Sequence, residues 1–504
     1  MVEVIRKNII NHISTASILS FLIIIIALIP RSIEVLNHNY LWGFDQGEHY
    51  LAVYDIVINK NLTLIGTKVG GGGGFFQGPG WYYLLSIPYI LTSGDPYGGM
   101  LLMLFIGIGT VFIAFRQSQI MFDYKTGSVI AFLIAISPTI IPQSRFIWPP
   151  FPISFLTVLY LYSLFRLLSG NRKYLPIVTF IIGMMSHFEI ATSGTLLLQF
   201  VLFSPILFWK HLTSLKFIAL SMITFLLSLS PLLLFDIRNQ NIVIKGMINM
   251  INNKNAVKLP YDWIINNHFQ VFTNNFKGTF YGADKMWFVF LAFIIIGSIM
   301  YFLNKSNTQP KKLFVLYLLT SPFLLFIVFM KFSQYMWDWW ILQMPIIYCF
   351  LFGVLLVSFW KDKYFKMLIV FVLCLFMIFY TKQTIAWYKN DLNDYGGTHK
   401  IKGKTDALDF IYKDANGEPF SLFVYTPPVY TYAYDYLALW YGKNRYGYVP
   451  GKDKKNVFYL WIEVDPNKPW AHKGWQETVI KEGKVLKTIE LPKSKFIIEK
   501  RVIE

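Results

Sequence analysis

The sequence predicts a polytopic α-helical membrane protein of about eleven spans, with interfacial helices in its first outer loop and a small soluble α/β domain at its C-terminus. Three observations predict it. Of the 504 residues, 55% are hydrophobic and only 15% charged, with a mean hydropathy of +0.46. That is more apolar surface than a soluble fold of this length can hide. The apolar residues also gather into runs of spanning length joined by short connectors rich in Lys and Arg, and the chain after residue 382 loses those runs.

Taken in order, the N-terminus MVEVIRKNII is a basic flank to the apolar SILSFLIIIIALIP, and no small-residue cleavage site precedes Pro30-Arg31. It is expected to be an uncleaved anchor that starts in the cytoplasm. Spanning runs follow near 97–116, 126–143, 150–168, 173–188, 190–209, 214–235, 285–303, 313–330, 338–359 and 364–381, the first lying at 14–31. The segment WYYLLSIPYILT at 81–92 is too short for a span and is interrupted by Pro88, so it is expected as an interfacial or re-entrant helix. The connectors FRQSQIMFDYK, RLLSGNRKYL, WKHLTSLK, NKSNTQPKK and WKDKYFK then share one side, the cytoplasm by the positive-inside rule. The other side receives loop 32–96, the loops around Arg145 and His187, residues 236–284 and 331–337, and everything after 382.

Residues 1–381 are thus expected to form the membrane module and 382–504 an extracytoplasmic domain. In the latter a helix over 404–414 leads into the β-rich runs SLFVYTP, NVFYLWIEV and KFIIEKRVI, with turns at Asn416-Gly417 and Asp465-Pro466. Cys349 and Cys374 both lie inside apolar runs, which excludes a disulfide framework and a Cys/His metal cluster. The net charge of +18 sits in connectors and the C-terminal domain without a basic helix or an aromatic–basic RNA motif. Nucleic acid is therefore excluded as a partner, and an anionic lipid surface is expected.

Ionisable residues of chemical interest gather on the non-cytoplasmic side. In LWGFDQGEHYLAVYDIV, Asp45 and Glu48 share a face of an amphipathic helix over 45–59; they are either a reactive carboxylate pair or an N-cap and a solvated charge. Gly70 to Gly74, running into FFQGPGWYY with Gln77 and Tyr82, either lets backbone approach a ligand or is a loose connector. Arg145 beside Trp148 suits an anionic partner or a lipid headgroup. His187 and Glu189 occupy a tight turn, as functional groups or as a satisfied pair. Asp236 and Arg238 end another span, by default as an ion pair. Tyr335, Trp337, Asp338, Trp339 and Trp340 either stack on a sugar or form an aromatic belt.

The order of these motifs resembles the GT-C superfamily: Phe44-Asp45-Gln46, Gly74-Phe75-Phe76-Gln77-Gly78-Pro79 with Tyr82-Tyr83, Ser137-Pro138, Ser144-Arg145, Ser186-His187-Phe188, and Pro231 with Phe235-Asp236-Ile237-Arg238. Within it the chain is most similar to relatives of the dolichyl-phosphate-mannose protein mannosyltransferases and of the lipid A aminoarabinose transferase, over about residues 10–380 and the Tyr425 to Tyr436 stretch. The helical module is accordingly expected to be GT-C-like. Many members carry two adjacent acids in the first loop, whereas Gln46 follows Asp45 here and the next acid is Glu48.

The resemblance implies an inverting transfer of a sugar from a polyprenyl-phosphate donor to an acceptor on the non-cytoplasmic face. It makes Asp45 the general base with Glu48 as second carboxylate. Arg145, with His187 or Arg238, would hold the departing phosphate, and Gln77, Tyr82, Glu189, Asp236 and Trp337 would line the substrate site. No cofactor is expected; a divalent metal on Asp45, Glu48 and Glu189 is disfavoured. Sugar, polyprenol and acceptor stay open. A flippase of lipid-linked sugars would need charges at mid-membrane depth and repeated halves, and a non-catalytic envelope scaffold would tolerate neutralisation of Asp45.

Overall fold

The computed structural model describes residues 2–69, 75–208, 215–252, 259–332, 335–427, 430–454 and 456–503, with side chains from Thr15 onward except at 206–208. The Gly70 to Gly74 run and part of the WKHLTSLK connector lie outside the described residues.

The chain opens with α1 (Val2–Arg31) and the short α2 (Ile33–Asn37), then the two helices of the first long loop, α3 (Phe44–Val57) and α4 (Gly80–Leu91). A helical body follows: α5 (Tyr97–Met121), α6 (Tyr124–Ile136), α7 (Ile153–Leu168), α8 (Leu175–Met185), α9 (Ile190–Phe208) and α10 (Leu215–Arg238). Next come α11 (Ile242–Ile251), α12 (Tyr261–Thr279), α13 (Ala283–Leu303), α14 (Gln309–Phe329), α15 (Met344–Ser358) and α16 (Lys363–Asp391). Every apolar run read from the sequence falls mainly on one of these helices. Five of them, α5, α10, α13, α14 and α16, are long and apolar enough to cross a membrane by length and composition.

Helix ends follow local chemistry. Asp123 caps α6, its carboxylate accepting from the Thr126 N–H at 2.8 Å, and α6 stops at Ile136 because Ser137 turns extended ahead of Pro138. Pro345 sits at the start of α15, where its missing N–H costs nothing. Residues 236–284 are not open loop: α11 and α12 occupy most of the stretch. Polar residues such as Asn266, Asn267 and His268 interrupt the apolar run of α12, yet Ile264, Phe272 and Phe276 bury one face of it.

Helix α16 continues ten residues past 381, so no break in the backbone marks the expected domain boundary. Beyond it lie α17 (Ile401–Ala415), β1 (Ser421–Tyr425), α18 (Tyr432–Leu437), β2 (Val457–Ile462), β3 (Lys484–Glu490) and β4 (Ile497–Val502). The sheet order is β1-β2-β4-β3, with β1 parallel to β2 and the other pairs antiparallel. Central β2 is a continuous apolar run buried on both faces. Strand β3 escapes the sequence reading because it is an exposed edge whose Lys484, Lys487 and Glu490 blunt it against further pairing.

This α/β unit docks on the first loop. The Trp42 indole donates to the Ala433 carbonyl at 2.9 Å, the Trp42 N–H to the His399 carbonyl at 3.0 Å, and the Ile401 N–H to the Tyr40 carbonyl at 3.0 Å. Trp42 packs between Tyr50 and Tyr436, with ring centroids 5.3 and 5.7 Å away. Helix α18 lies directly on α3.

Candidate active site

The N-terminus of α3 positions the first candidate acid. Gly43 is the N-cap, and its N–H is satisfied by Gln46 Oε1 at 2.9 Å, while Gln46 Nε2 donates to the Ile147 carbonyl at 2.9 Å. Asp45 is therefore not the capping residue. Its carboxylate lines a cavity of about 580 Å³ and accepts from Trp148 Nε1 at 3.1 Å. Burial raises the Asp45 pKa above the ordinary value, against the Trp148 hydrogen bond. Glu48, one turn along, is raised by burial and then by the charge of Asp45. The Tyr82 hydroxyl is raised by burial and by both carboxylates. Burial holds His49 neutral, with its pKa driven down to about 3, between Trp81 and Tyr82.

An aromatic wall continues from Asp45. Trp148 meets Trp339 edge-on at 5.3 Å, and Trp339 stacks on Trp337 at 4.6 Å. Asp45, Glu48, Tyr82 and Trp337 are thereby brought into one neighbourhood.

Other candidates have different partners. Arg145 grips Glu34 with Nε at 2.8 Å from Oε2 and Nη2 at 2.5 Å from Oε1, and also donates to Asp391. Its guanidinium lies 5.2 Å from the Trp387 ring centre. Burial works against its charge, and the two carboxylates outweigh that. The fork expected to hold a phosphate is thus occupied by the chain's own anions. His187 is likewise committed: Nδ1 accepts from the Gly80 N–H at 3.1 Å and Nε2 donates to the Ser228 carbonyl at 2.7 Å. The Gly78 N–H reaches the Ser186 carbonyl at 3.0 Å, and a Cβ at Gly78 would fall 2.2 Å from the His187 ring. His187 is therefore the neutral clamp between two turns, the satisfied-turn alternative, rather than a phosphate ligand.

Asp236 and Arg238 do not pair. Asp236 Oδ1 accepts from the Val243 N–H at 2.6 Å and fixes the start of α11, whereas Arg238 is exposed and makes no ion pair among the described residues. Gln77 pairs its backbone with Gly66 and Thr67 at 2.8 and 2.9 Å and leaves its buried Oε1 without a partner among the described residues. Glu189 lines a different cavity from Asp45, about 420 Å³ and walled by Val69, Phe75, Met250, Phe329 and Trp340. The three oxygen ligands weighed for a metal are consequently not assembled.

Glu189 Oε1 accepts from the Ala191 N–H at 3.1 Å, and burial pushes its pKa up to about 8. A carboxyl raised in this way contributes its stability fully below the ordinary carboxylate range and loses it as pH climbs through about 8. Glu189→Gln should flatten that dependence. Thermal unfolding of the purified protein from pH 5 to 9 should show the wild-type midpoint falling and the variant's holding level.

Several residues escape the sequence reading. Glu34 and Asp391 lie far in sequence from Arg145 and stand as single acids in otherwise ordinary stretches. On the far wall of the Asp45 cavity, the C-terminal domain contributes Lys404, Tyr434 and Glu463. Lys404 is buried, donates to the Thr398 carbonyl and lies 5.3 Å from the Tyr434 ring centre, with burial lowering its pKa to about 8. No spacing rule links these positions; Tyr434 alone falls within a stretch singled out by resemblance.

The helical body, with two helices in its first long loop and a mixed α/β unit seated on them, shares its overall fold with solved structures of ArnT and AglB. The chain is a multi-pass membrane protein of that fold. Its structure is similar to that of ArnT from Cupriavidus metallidurans bound to undecaprenyl phosphate, with TM-score 0.55, 11% identity and 98% of each chain covered. It is similar to the apo state of ArnT at TM-score 0.57 and 12% identity, covering 99% of this chain and 98% of that one. The archaeal oligosaccharyltransferase AglB from Archaeoglobus fulgidus, in complex with an inhibitory peptide and a dolichol-phosphate, matches at TM-score 0.51 and 15% identity over 95% of this chain and 74% of that one. No family model matches the sequence, and no curated protein matches it. Identities this low establish the fold alone.

Proposed function

We propose that the chain is an inverting glycosyltransferase of the cell membrane, moving a sugar from a polyprenyl-phosphate donor to an acceptor hydroxyl on the non-cytoplasmic face with Asp45 as general base. One observation carries the reading: the partly buried Asp45 carboxylate, oriented by Trp148, opens into a cavity beside an aromatic wall. A carboxylate whose pKa is raised by burial is a stronger base than an ordinary one.

In the reaction the acceptor hydroxyl gives its proton to Asp45 as its oxygen bonds to the anomeric carbon. The bond from that carbon to the phosphate oxygen breaks on the opposite face, and the lipid phosphate leaves as an anion. Arg238, exposed three residues on from Phe235, which packs beside Val69, Phe75 and Met250, would receive that anion together with Lys331, which lines the same apolar cavity. The apolar cavity built on those residues suits an isoprenoid tail. Arg145 acts as a positioning residue, tying the end of α16 to the start of the first loop. Glu48 holds substrate hydroxyls next to Asp45. The basic connectors support placing the site on the non-cytoplasmic side.

Mass spectrometry of lipid-linked sugars in cells with and without the gene tests this reading. One polyprenyl-phosphate sugar should accumulate when the gene is deleted; an unchanged lipid-linked pool would remove the proposal.

A further inference from the structure

The cavity at the start of α3 has walls of two origins. Phe44, Asp45 and Phe146 come from the helical body, and Lys404, Tyr430 and Glu463 come from the C-terminal domain. Its volume of about 580 Å³ is in the range of pockets that bury small molecules, about 300–1,000 Å³. The site is therefore complete only when the domain is docked.

The lining carries more negative than positive charge. Asp45, Glu463 and Asp465 face it against His399 and Lys404, whose ammonium is taken up by the Thr398 carbonyl, the Tyr434 ring and the nearby charge of Glu463. An anionic ligand would meet carboxylates and find the buried cation engaged elsewhere. A neutral polyol meets acceptors for its hydroxyl protons. Glu463 is held ready to accept such protons. Thr426 Oγ1 donates to its Oε2 at 2.7 Å and the Tyr434 hydroxyl donates to the same oxygen, while Oε1 accepts no hydrogen bond among the described residues. At the rim Phe44 lies 5.6 Å from Tyr430 and 5.2 Å from Tyr432, and those two tyrosines stack at 5.6 Å. Such a shelf suits the apolar face of a sugar ring.

We infer that this cavity is the acceptor site and that it takes an uncharged saccharide, with Glu463 of the C-terminal domain holding acceptor hydroxyls across from Asp45. This rests on the glycosyl-transfer reading and adds the acceptor class to it. The carboxylates set the preference against phosphorylated acceptors, and the docked domain sets which saccharides fit.

The test uses the full-length protein in lipid nanodiscs. Saturation-transfer NMR would be recorded with the methyl glycosides of mannose, galactose, glucose and N-acetylglucosamine, and with glucose 6-phosphate as the anionic probe. At least one methyl glycoside should bind, and glucose 6-phosphate should bind more weakly than it. Glu463→Gln and the exposed Tyr430→Ala should each raise the dissociation constant about tenfold. Binding of undecaprenyl phosphate to the same samples, unchanged in both variants, reports that they are folded. Absence of glycoside binding, tighter binding of glucose 6-phosphate, or binding indifferent to Glu463→Gln or to Tyr430→Ala would overturn the inference. Glycoside binding without any undecaprenyl phosphate binding would instead overturn the donor reading, and with it the acceptor role, leaving only a saccharide-binding cavity.

Discussion

Asp45→Asn should insert and fold like the wild type yet lose on the order of a hundredfold or more in turnover, the contribution typical of a positioned general base. The substitution is isosteric. The amide oxygen still accepts from Trp148 Nε1, and the helix start is untouched because Gln46, not Asp45, satisfies the Gly43 N–H. Only basicity is removed. With the wild type, turnover should rise with pH as Asp45 ionises, and the midpoint of that limb should lie above the ordinary carboxylate pKa because burial favours the protonated form. Glu48→Gln should retain most transfer and leave the midpoint of that limb near its wild-type position, since burial and the Trp148 hydrogen bond, not Glu48, set the Asp45 pKa, whereas Glu48 is the partner raised by the charge of Asp45. Transfer assays on purified variants across pH 4 to 8 check both. Near-wild-type transfer by Asp45→Asn would end the catalytic assignment, and loss by Glu48→Gln alone would move it one turn along α3.

Gly47→Ala should loosen the C-terminal domain from the body. A Cβ at this position would lie 2.2 Å from the Ala433 nitrogen and 2.3 Å from the Tyr432 carbonyl carbon, both backbone atoms that no rotamer change can move. Overpacking of this kind costs about 1–3 kcal/mol, and backbone contacts place the site at the upper end. The Trp42 to Ala433 hydrogen bond and the packing of Tyr50 on Tyr436 depend on the same approach. Limited proteolysis should cut the variant between α16 and α17 faster than the wild type, and thermal unfolding should begin earlier. Gly109→Ala is the control: its Cβ meets only Phe155, at an ordinary 3.5 Å, and it should leave both measurements unchanged. An unaltered Gly47→Ala protein would mean that α18 does not rest on α3 in the membrane.

The helical body is legible because hydropathy is written along the chain. Runs such as 97–116 and 364–381 announce helices without reference to any partner, and the Pro88-interrupted segment announces a shorter one. Strands β1, β2 and β4 are legible for the same reason, while β3 is hidden by the charges that protect an edge. Helices α11 and α12 read as loop because their apolar faces are interleaved with Asn, His and Lys, and packing rather than composition decides that they form.

The site divides along the same line. Asp45 and Glu48 can be found in the sequence because they share a turn of helix, so short-range spacing carries their proximity; Tyr82 comes from the family resemblance, and its place beside them is decided by the packing of α4 on α3. The partners of Arg145 and His187 cannot, because a guanidinium or imidazole in a sequence looks the same whether it awaits a ligand or already holds one. Glu34 stands 111 residues from Arg145 and Asp391 stands 246 away. The class of fold, the run of helices and the acidic turn at the start of α3 are settled by neighbours within a few residues, so the linear chain is enough to reveal them. Which charges are already neutralised, and that Glu463 faces Asp45 across one cavity, emerge only from the folded molecule, because contacts between segments hundreds of residues apart create them.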